Sequence, residues 1–209
     1  MPKMRIYNSF GEKLTGEVES LISEGLKEGK IIAVKGLGGY HLTCDAFNQE
    51  AVALLRKRKN REEKPFALMA RDLAEIKKLC QVSEEEKSLL ESDARPIVLL
   101  NLKKNLKGPP GIAPGQKRLG IMLPYAPWHD LLLKEFPLLV MTSGNITEEP
   151  IVYQDEEAFE RLSSLADLFL LHEKSIPRPC DDSVAIIADQ KRFFLRRSRG
   201  FISEPIFVN

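Results

Sequence analysis

The sequence is short of most features that would assign it quickly. Charge of one sign is not in excess: 31 basic residues face 30 acidic ones, for a net charge of +1. A protein that holds long nucleic acid by electrostatics usually carries a clear basic surplus, so that class is disfavoured. Cysteine is scarce. Cys44, Cys80 and Cys180 lie far apart and form no C-x-x-C pair, which argues against a structural zinc site and for free thiols in a reducing cytoplasm. There is no secretory leader pattern and no apolar run near the 18 residues of a membrane span, so a cytoplasmic protein without membrane association is expected. Internal repeats and low-complexity tracts are absent too. A single tryptophan among 209 residues weakens any case for base stacking.

What the chain does have is 43% hydrophobic residues, enough for a core of one α/β domain or two small ones, with no composition break that demands two. Residues 1–14 read as an extended lead-in. Thr15 is placed to cap a helix with Val18, Leu21, Ile22 and Leu26 on one face, ended by Gly29. Ile31–Val34 is a continuous apolar run of buried-strand type, closed by the flexible turn Lys35-Gly36-Leu37-Gly38-Gly39. A helix is expected from Asn48 to Arg58, a strand at Phe66–Met69 and a helix over Asp72–Leu79. Ser83 and Glu86 make an S-x-x-E capping box for a further helix. Strands follow at Ile97–Leu100, Leu119–Leu123 and Leu138–Thr142. Between the first two lies the long loop 103–117, with three prolines, three glycines and four lysines. Pro127 introduces a short helix over His129–Lys134, and Asp155 is placed to cap one running through Leu162. The last strands are Leu168–Leu171, Val184–Ile187 and Arg192–Leu195. Strands and helices alternate except near the end, which gives an α/β domain with a mixed sheet.

Chemistry-bearing residues gather at strand ends. Lys59, Arg61 and Lys64 fall within six residues. Arginine offers phosphate a planar fork and lysine a point charge; the same cations also suit the solvated end of a helix. Ser143-Gly144-Asn145 offers a hydroxyl, an unobstructed backbone N–H and an amide, or else an ordinary turn. Leu195-Arg196-Arg197-Ser198-Arg199-Gly200 ends the last strand. These three segments are expected to converge on one anion site. The glycine turn at 35–39 lacks the P-loop ending and the G-x-G-x-x-G spacing, but it can floor a pocket for a small acid. Asp181 and Asp182 can bind Mg²⁺ through water or pair with the cations. Taken alone, His41 and His129 read as structural or surface groups.

Together these motifs resemble a known family. Lys59-x-Arg61 with Lys64-Pro65-Phe66, then Ser143-x-Asn145, Asp182-Ser183-Val184 and Arg196-x-Ser198-Arg199-Gly200 resemble the YrdC family of ATP-dependent adenylating domains. Val34-Lys35-Gly36-Leu37, Gly39-Tyr40-His41-Leu42, Cys44-Asp45-Ala46, Arg56-x-Arg58-Lys59, Phe66-Ala67-Leu68-Met69, Leu123-Pro124-Tyr125 and Thr142-Ser143-Gly144-Asn145 are similar to one branch, the YrdC-like domain of HypF carbamoyltransferases. The resemblance covers about residues 15–202, within a single domain spanning 1–209. It implies a YrdC-like twisted mixed β-sheet with flanking helices and an open, positively charged cavity. It also implies conversion of carbamoyl phosphate to carbamate, which attacks ATP with Mg²⁺ as cofactor. Carbamoyl-adenylate and pyrophosphate result. The carbamoyl group then passes to a kinase-like transferase domain and to the partner protein HypE, for the cyanide ligands of nickel–iron hydrogenases.

On this resemblance Lys59 and Arg61 carry the catalytic charge. ATP is held by Lys59, Arg61, Lys64, Ser143, Asn145, Ser183 and Arg196, while Lys35, Gly36, Gly39 and His41 face the carbamate. The alternatives are threonylcarbamoyl-adenylate synthesis for tRNA modification and a double-stranded RNA-binding module. Threonine-using relatives carry Pro-Thr-Glu-Thr where this chain has Lys35-Gly36-Leu37-Gly38, and tend to carry histidine at the place of Met69; both differences disfavour threonine. No acylphosphatase arginine loop, zinc-finger pair or kinase-like segment is found in the sequence, which points to an excised or stand-alone central domain.

Overall fold

A computed structural model describes residues 2–147 and 149–203. Its frame is one sheet of ten strands. In chain order the elements are β1 (Met4–Asn8), α1 (Val18–Lys27), β2 (Ile32–Lys35), β3 (Tyr40–Asp45), α2 (Gln49–Lys59), β4 (Ala67–Ala70), α3 (Leu73–Leu79), α4 (Glu84–Glu91), β5 (Ile97–Asn101), β6 (Arg118–Met122), α5 (Pro127–Leu133), β7 (Leu138–Ser143), α6 (Asp155–Leu162), β8 (Leu168–His172), β9 (Val184–Ala188) and β10 (Lys191–Arg196). The spatial order is β1-β8-β2-β3-β7-β4-β6-β5-β9-β10. The pairs β2–β8, β4–β6 and β5–β9 are parallel and the remaining six antiparallel, so the expected mixed sheet is present.

Alternation along the strands sorts side chains onto two faces. Leu138 and Val140 of β7 join one apolar cluster, with Val52 and Leu55 of α2, Ile76 of α3, Leu90 of α4 and Leu162 of α6. Leu139 and Met141 join the other, with Ile22 and Leu26 of α1 and Trp128 and Leu132 of α5. Among the described residues, two helices, α1 and α5, pack on the second face. Its uncovered part, over β7, β4, β6, β5 and β9, is where the cleft lies.

Several local expectations are corrected. The lead-in contains a strand, β1, paired with β8. Tyr40–Asp45, read only as motif, is strand β3, which runs back from the glycine turn against β2 and pairs with β7. Its fully buried residues Leu42, Thr43 and Cys44 mix apolar and polar side chains rather than forming an apolar run. Thr15 does not cap α1: the N-cap is Glu17, with no side-chain cap hydrogen bond. Asp155 is already the first residue of α6, whose N-cap is Gln154, because the aspartate is drawn to Lys35 and Tyr40 instead. Asn48, Asp72 and the Ser83–Glu86 capping box do cap α2, α3 and α4. Gly29 follows α1 at φ +76°, a conformation costly for any residue with a Cβ.

Candidate functional site

Helix α2 ends on Asn60, a left-handed C-cap at φ 51° and ψ 50°, which swings the chain out toward the cleft. Arg56, one turn earlier, then organises the whole following segment. Its guanidinium donates to five carbonyls: Gly111 at 2.7 Å, Arg61 at 2.8 Å, Ile112 at 3.0 Å, and Glu62 and Lys64 at 3.1 Å. It also lies over the Phe66 ring at 4.5 Å. Arg61 donates to Lys64 O and Pro65 O, at 3.2 and 2.8 Å. Lys59 is 1% exposed. Its ammonium donates to Ser143 O at 2.7 Å, Asn145 O at 2.6 Å and Asn145 Oδ1 at 3.1 Å.

These three cations share a property that matters for ligand binding. Each is held by neutral oxygens, and none of them makes a salt bridge among the described residues. Burial, with Arg61 nearby, pushes the Lys59 pKa down to about 7. Burial lowers that of Arg61 as well, followed by the charges of Arg56 and Arg196. Positive charge is thus concentrated and uncompensated. An anion entering here relieves both the desolvation and the repulsion.

The cleft itself encloses about 190 Å³. That is below the usual size of a pocket for a drug-sized ligand, about 300–1,000 Å³, so a nucleotide would extend from its open side. Arg61, Pro65 and Phe66 form one wall and Arg196, Asp181 and Asp182 another; Thr142, Ser143 and His41 close the strand end. Pairing of β3 with β7 sets His41 opposite Ser143. The Ser143 hydroxyl donates to Asn145 Oδ1 at 2.8 Å, and the Asn145 amide donates to Glu149 O at 2.5 Å. Thr147 closes the unit by bonding Lys59 O at 2.7 Å.

Of the residues singled out in the sequence, Arg61, Ser143, Arg196, His41, Asp181 and Asp182 line this cleft; Lys59 lies buried behind it, joined to the carbonyls of Ser143 and Asn145. Lys64 is exposed on the same segment. Ser183 is fully buried and its hydroxyl is occupied, accepting from Ser198 N and donating to Arg199 O. Lys35 turns away: it is 3% exposed and paired with Asp155 at 2.7 Å, which also accepts from Tyr40. Gly36 and Gly39 form the turn through Gly36 N–H to Gly39 O at 2.8 Å. Among the described residues no group of three or more His, Cys, Asp or Glu can hold a metal. The two aspartates differ as Mg²⁺ partners. Asp182 is spent on His41 and Arg199, whereas Asp181 is half exposed and, among the described residues, its carboxylate has Arg196 as ion-pair partner at 3.9 Å. It fits a magnesium ion held through water.

Sequence reasoning did not find the role of Arg56, because carbonyls carry no sequence signal. It also did not find the Arg199–Asp182–His41 chain, whose members are 141 positions apart between His41 and Asp182.

The open face of the mixed sheet carries a cleft lined by Arg61, Arg196, Asp181 and Asp182, and the fold is that of an α/β domain with a charged site. The chain belongs to the Sua5/YciO/YrdC family: the Sua5_yciO_yrdC pattern, described as Telomere recombination, matches residues 24–198. It is similar to the carbamoyltransferase HypF of Synechocystis sp., 46% identical over 207 residues, which are 98% of this chain and 27% of that protein. The Rhodobacter capsulatus carbamoyltransferase HypF is 48% identical over 191 residues, 91% of this chain and 25% of that protein. The chain therefore spans about a quarter of the length of these relatives. A crystal structure of full-length HypF in the phosphate- and nucleotide-bound form superposes with a TM-score of 0.92 at 47% identity, over 99% of this chain and 27% of that one. The P. abyssi Sua5 complexed with L-threonine shares the fold, with a TM-score of 0.74 at 18% identity over 88% of this chain and 56% of that one.

Among the described residues no helix is long and apolar enough to cross a membrane.

Proposed function

We propose that this domain adenylates carbamate with ATP. The observation that carries the reading is that Arg61 and Arg196 line one cleft, with Arg61 held by carbonyls that leave its charge uncancelled and Lys59 tethering the Ser143–Asn145 turn from behind. A triphosphate is the polyanion that such a set fits. Carbamate is already a nucleophile, so the site needs no general base. Its oxygen attacks the α-phosphorus, the bond to the bridging oxygen breaks, and pyrophosphate leaves with the electron pair. Arg61 and Arg196 neutralise the charge that grows on the leaving group. Ser143, with free lone pairs and a hydroxyl beside the cleft, orients the nucleotide. Lys59 supplies charge from beneath and fixes the Ser143–Asn145 turn. Asp181 would be the partner, through water, of a magnesium ion, which would supply positive charge against the phosphate oxygens that otherwise repel the incoming carbamate.

The high identity to HypF carbamoyltransferases supports carbamate rather than an amino-acid carbamate as substrate. In the longer protein, carbamoyl phosphate is the source of the carbamate. The product passes to the kinase-like domain and HypE, toward the cyanide ligands of a hydrogenase.

The test is pyrophosphate exchange into ATP with Mg²⁺, fed by ammonium bicarbonate as carbamate source, by carbamoyl phosphate, or by threonine plus bicarbonate. Exchange in the first arm that disappears in Lys59→Ala is the expected result. Exchange with threonine alone would overturn the substrate, and silence in every arm without ATP binding would overturn the reaction.

A further inference from the structure

The loop between β5 and β6, residues 103–117, has no role in the reaction described above. Its charge is one-sided. From Ala94 to His129 the chain carries no acidic residue, while Arg95, Lys103, Lys104, Lys107, Lys117 and Arg118 are all cations. The whole chain is balanced, with 31 basic and 30 acidic residues, so the excess belongs to this stretch. Lys103, Lys104, Lys107 and Lys117 are exposed, and none of them makes a salt bridge among the described residues. Arg118 is held by a neutral group, Asn101 Oδ1 at 3.0 Å.

A loop this long without helix or strand is ordinarily functional or mobile, and this one is pinned. Leu102 N–H donates to Lys117 O at 3.0 Å and closes its base, and Lys103 N–H donates to Leu79 O at 2.9 Å. Ile112 is fully buried in the first apolar cluster. Its carbonyl accepts from Phe66 N–H at 2.9 Å and from Arg56, which also takes the carbonyl of Gly111. The backbone that carries the four lysines is therefore fixed, and it encloses about 690 Å³, lined by those lysines with Leu106 and Pro110 among others. That volume falls in the usual range of small-molecule pockets, about 300–1,000 Å³. The cavity is separate from the cleft. Leu119 and Gly120 are neighbours on β6 and face opposite sides of the sheet; Leu119 lines this cavity and Gly120 lines the cleft.

We propose that the cavity of the 103–117 loop is a second binding site, for a small ligand that carries two or more phosphate groups. Four like charges around one cavity raise the local potential, and a polyanion relieves their repulsion. A single carboxylate would leave most of that charge unanswered, whereas linked phosphates present several anionic oxygens at once. Each lysine meets them as a point charge with three donors. Leu106 and Pro110 give apolar contact to whatever bears the phosphates. The proposal is independent of the adenylation reading, because none of the lysines that line this cavity takes part in that chemistry.

The probe is inorganic tripolyphosphate without magnesium, titrated by calorimetry at about 0.15 M salt, where exposed charges more than about 8 Å apart are largely screened. The background is Arg61→Ala, which weakens the cleft as a competing site. Two double substitutions are compared in it, with circular dichroism confirming the fold. Lys104→Gln with Lys107→Gln removes two charges from the cavity. Lys13→Gln with Lys191→Gln removes two exposed charges beside the edge strands β1 and β10. The expected result is that Arg61→Ala still binds tripolyphosphate, that the cavity pair raises Kd about tenfold, the effect of two exposed charge contacts, and that the edge pair leaves Kd as it was. A second arm with ATP separates the sources: tighter binding than tripolyphosphate assigns the site to a nucleotide, and equal binding to the phosphates alone, and either keeps the proposal. Equal weakening by both pairs would mean attraction by net charge only and would overturn it. So would binding that vanishes with Arg61, which would place the phosphates in the cleft, or a Kd indifferent to Lys104 and Lys107.

Discussion

Two arginine-rich segments face each other across the cleft, and they hold their cations in opposite ways. In the segment from Arg56 to Pro65 the partners of Arg56, Lys59 and Arg61 are backbone carbonyls and one side-chain amide. In the segment from Asp181 to Arg199 the main cation, Arg199, is bound to the buried carboxylate of Asp182. A carbonyl orients a cation without cancelling its charge; a carboxylate does both. The first segment is therefore built to attract an anion and the second to stay put. Arg58 makes the same point within one helix turn: it is paired with Asp167 at 2.8 Å, so its neighbours Lys59 and Arg61, and not Arg58, carry the available charge.

Breaking the carboxylate side has the largest expected effect. Arg199→Ala leaves Asp182 buried without its counter-ion. It lowers unfolding free energy by about 3–5 kcal/mol, read from the denaturant midpoint. On the carbonyl side the cost falls on the ligand instead. Lys59→Met weakens ATP binding by about a hundredfold, measured by calorimetry, because the Ser143–Asn145 turn loses its tether and the cleft loses a charge.

A third effect, in α5 outside both segments, is read through pH. His129, packed edge-on to Tyr125 with a ring distance of 4.5 Å, is fully enclosed. Its pKa is lowered to about 3 by burial first and then by the charge of His41, against the pull of Asp182. Below about pH 6.5 the unfolded chain binds a proton here that the folded chain refuses, so stability falls from about pH 6.5 down to about 3. His129→Gln removes that contribution, and its acid limb is shallower over the same window in a series of thermal melts. An unchanged acid limb would mean that His129 accepts the proton in the folded state.

Much of the frame was legible in the sequence. The capping box at Ser83 and Glu86, the glycine after α1 and the apolar runs that became β2, β5, β7 and β8 all rest on local patterns. Lys59, Arg61, Ser143, Asn145 and Arg196 were legible as chemistry because each follows or precedes such a run; Arg61, Ser143 and Arg196 line one cleft, and Lys59 and Asn145 lie behind it. What stayed hidden depends on long-range pairing. Strand β3 is defined by its neighbours on both sides, and β1 by β8. Lys35 looks from its sequence like a loop cation near the small substrate, yet strand alternation sends it to the opposite face, where Asp155 of α6 meets it. Ser183 sits in a motif next to the cleft, but the closing turn at Ser198 and Arg199 takes up its hydroxyl. His41 gained its partner only when the topology set Asp182 beside it.

The central claim is that the charge of the carbonyl-held cations is reserved for ligand. Arg61 tests it most directly, since it is repelled by Arg56 and Arg196 and has no carboxylate to lose. Thermal unfolding of wild type and Arg61→Ala, each with and without saturating MgATP, reads both halves of the claim at once. The account predicts that Arg61→Ala is as stable as wild type or more so without nucleotide, and that it loses most of the stabilisation ATP gives the wild type. A ligand at a hundred times its dissociation constant stabilises by about 2.7 kcal/mol, so the loss is readily seen. A variant that melts earlier without nucleotide, yet gains as much from ATP as wild type, would contradict the account.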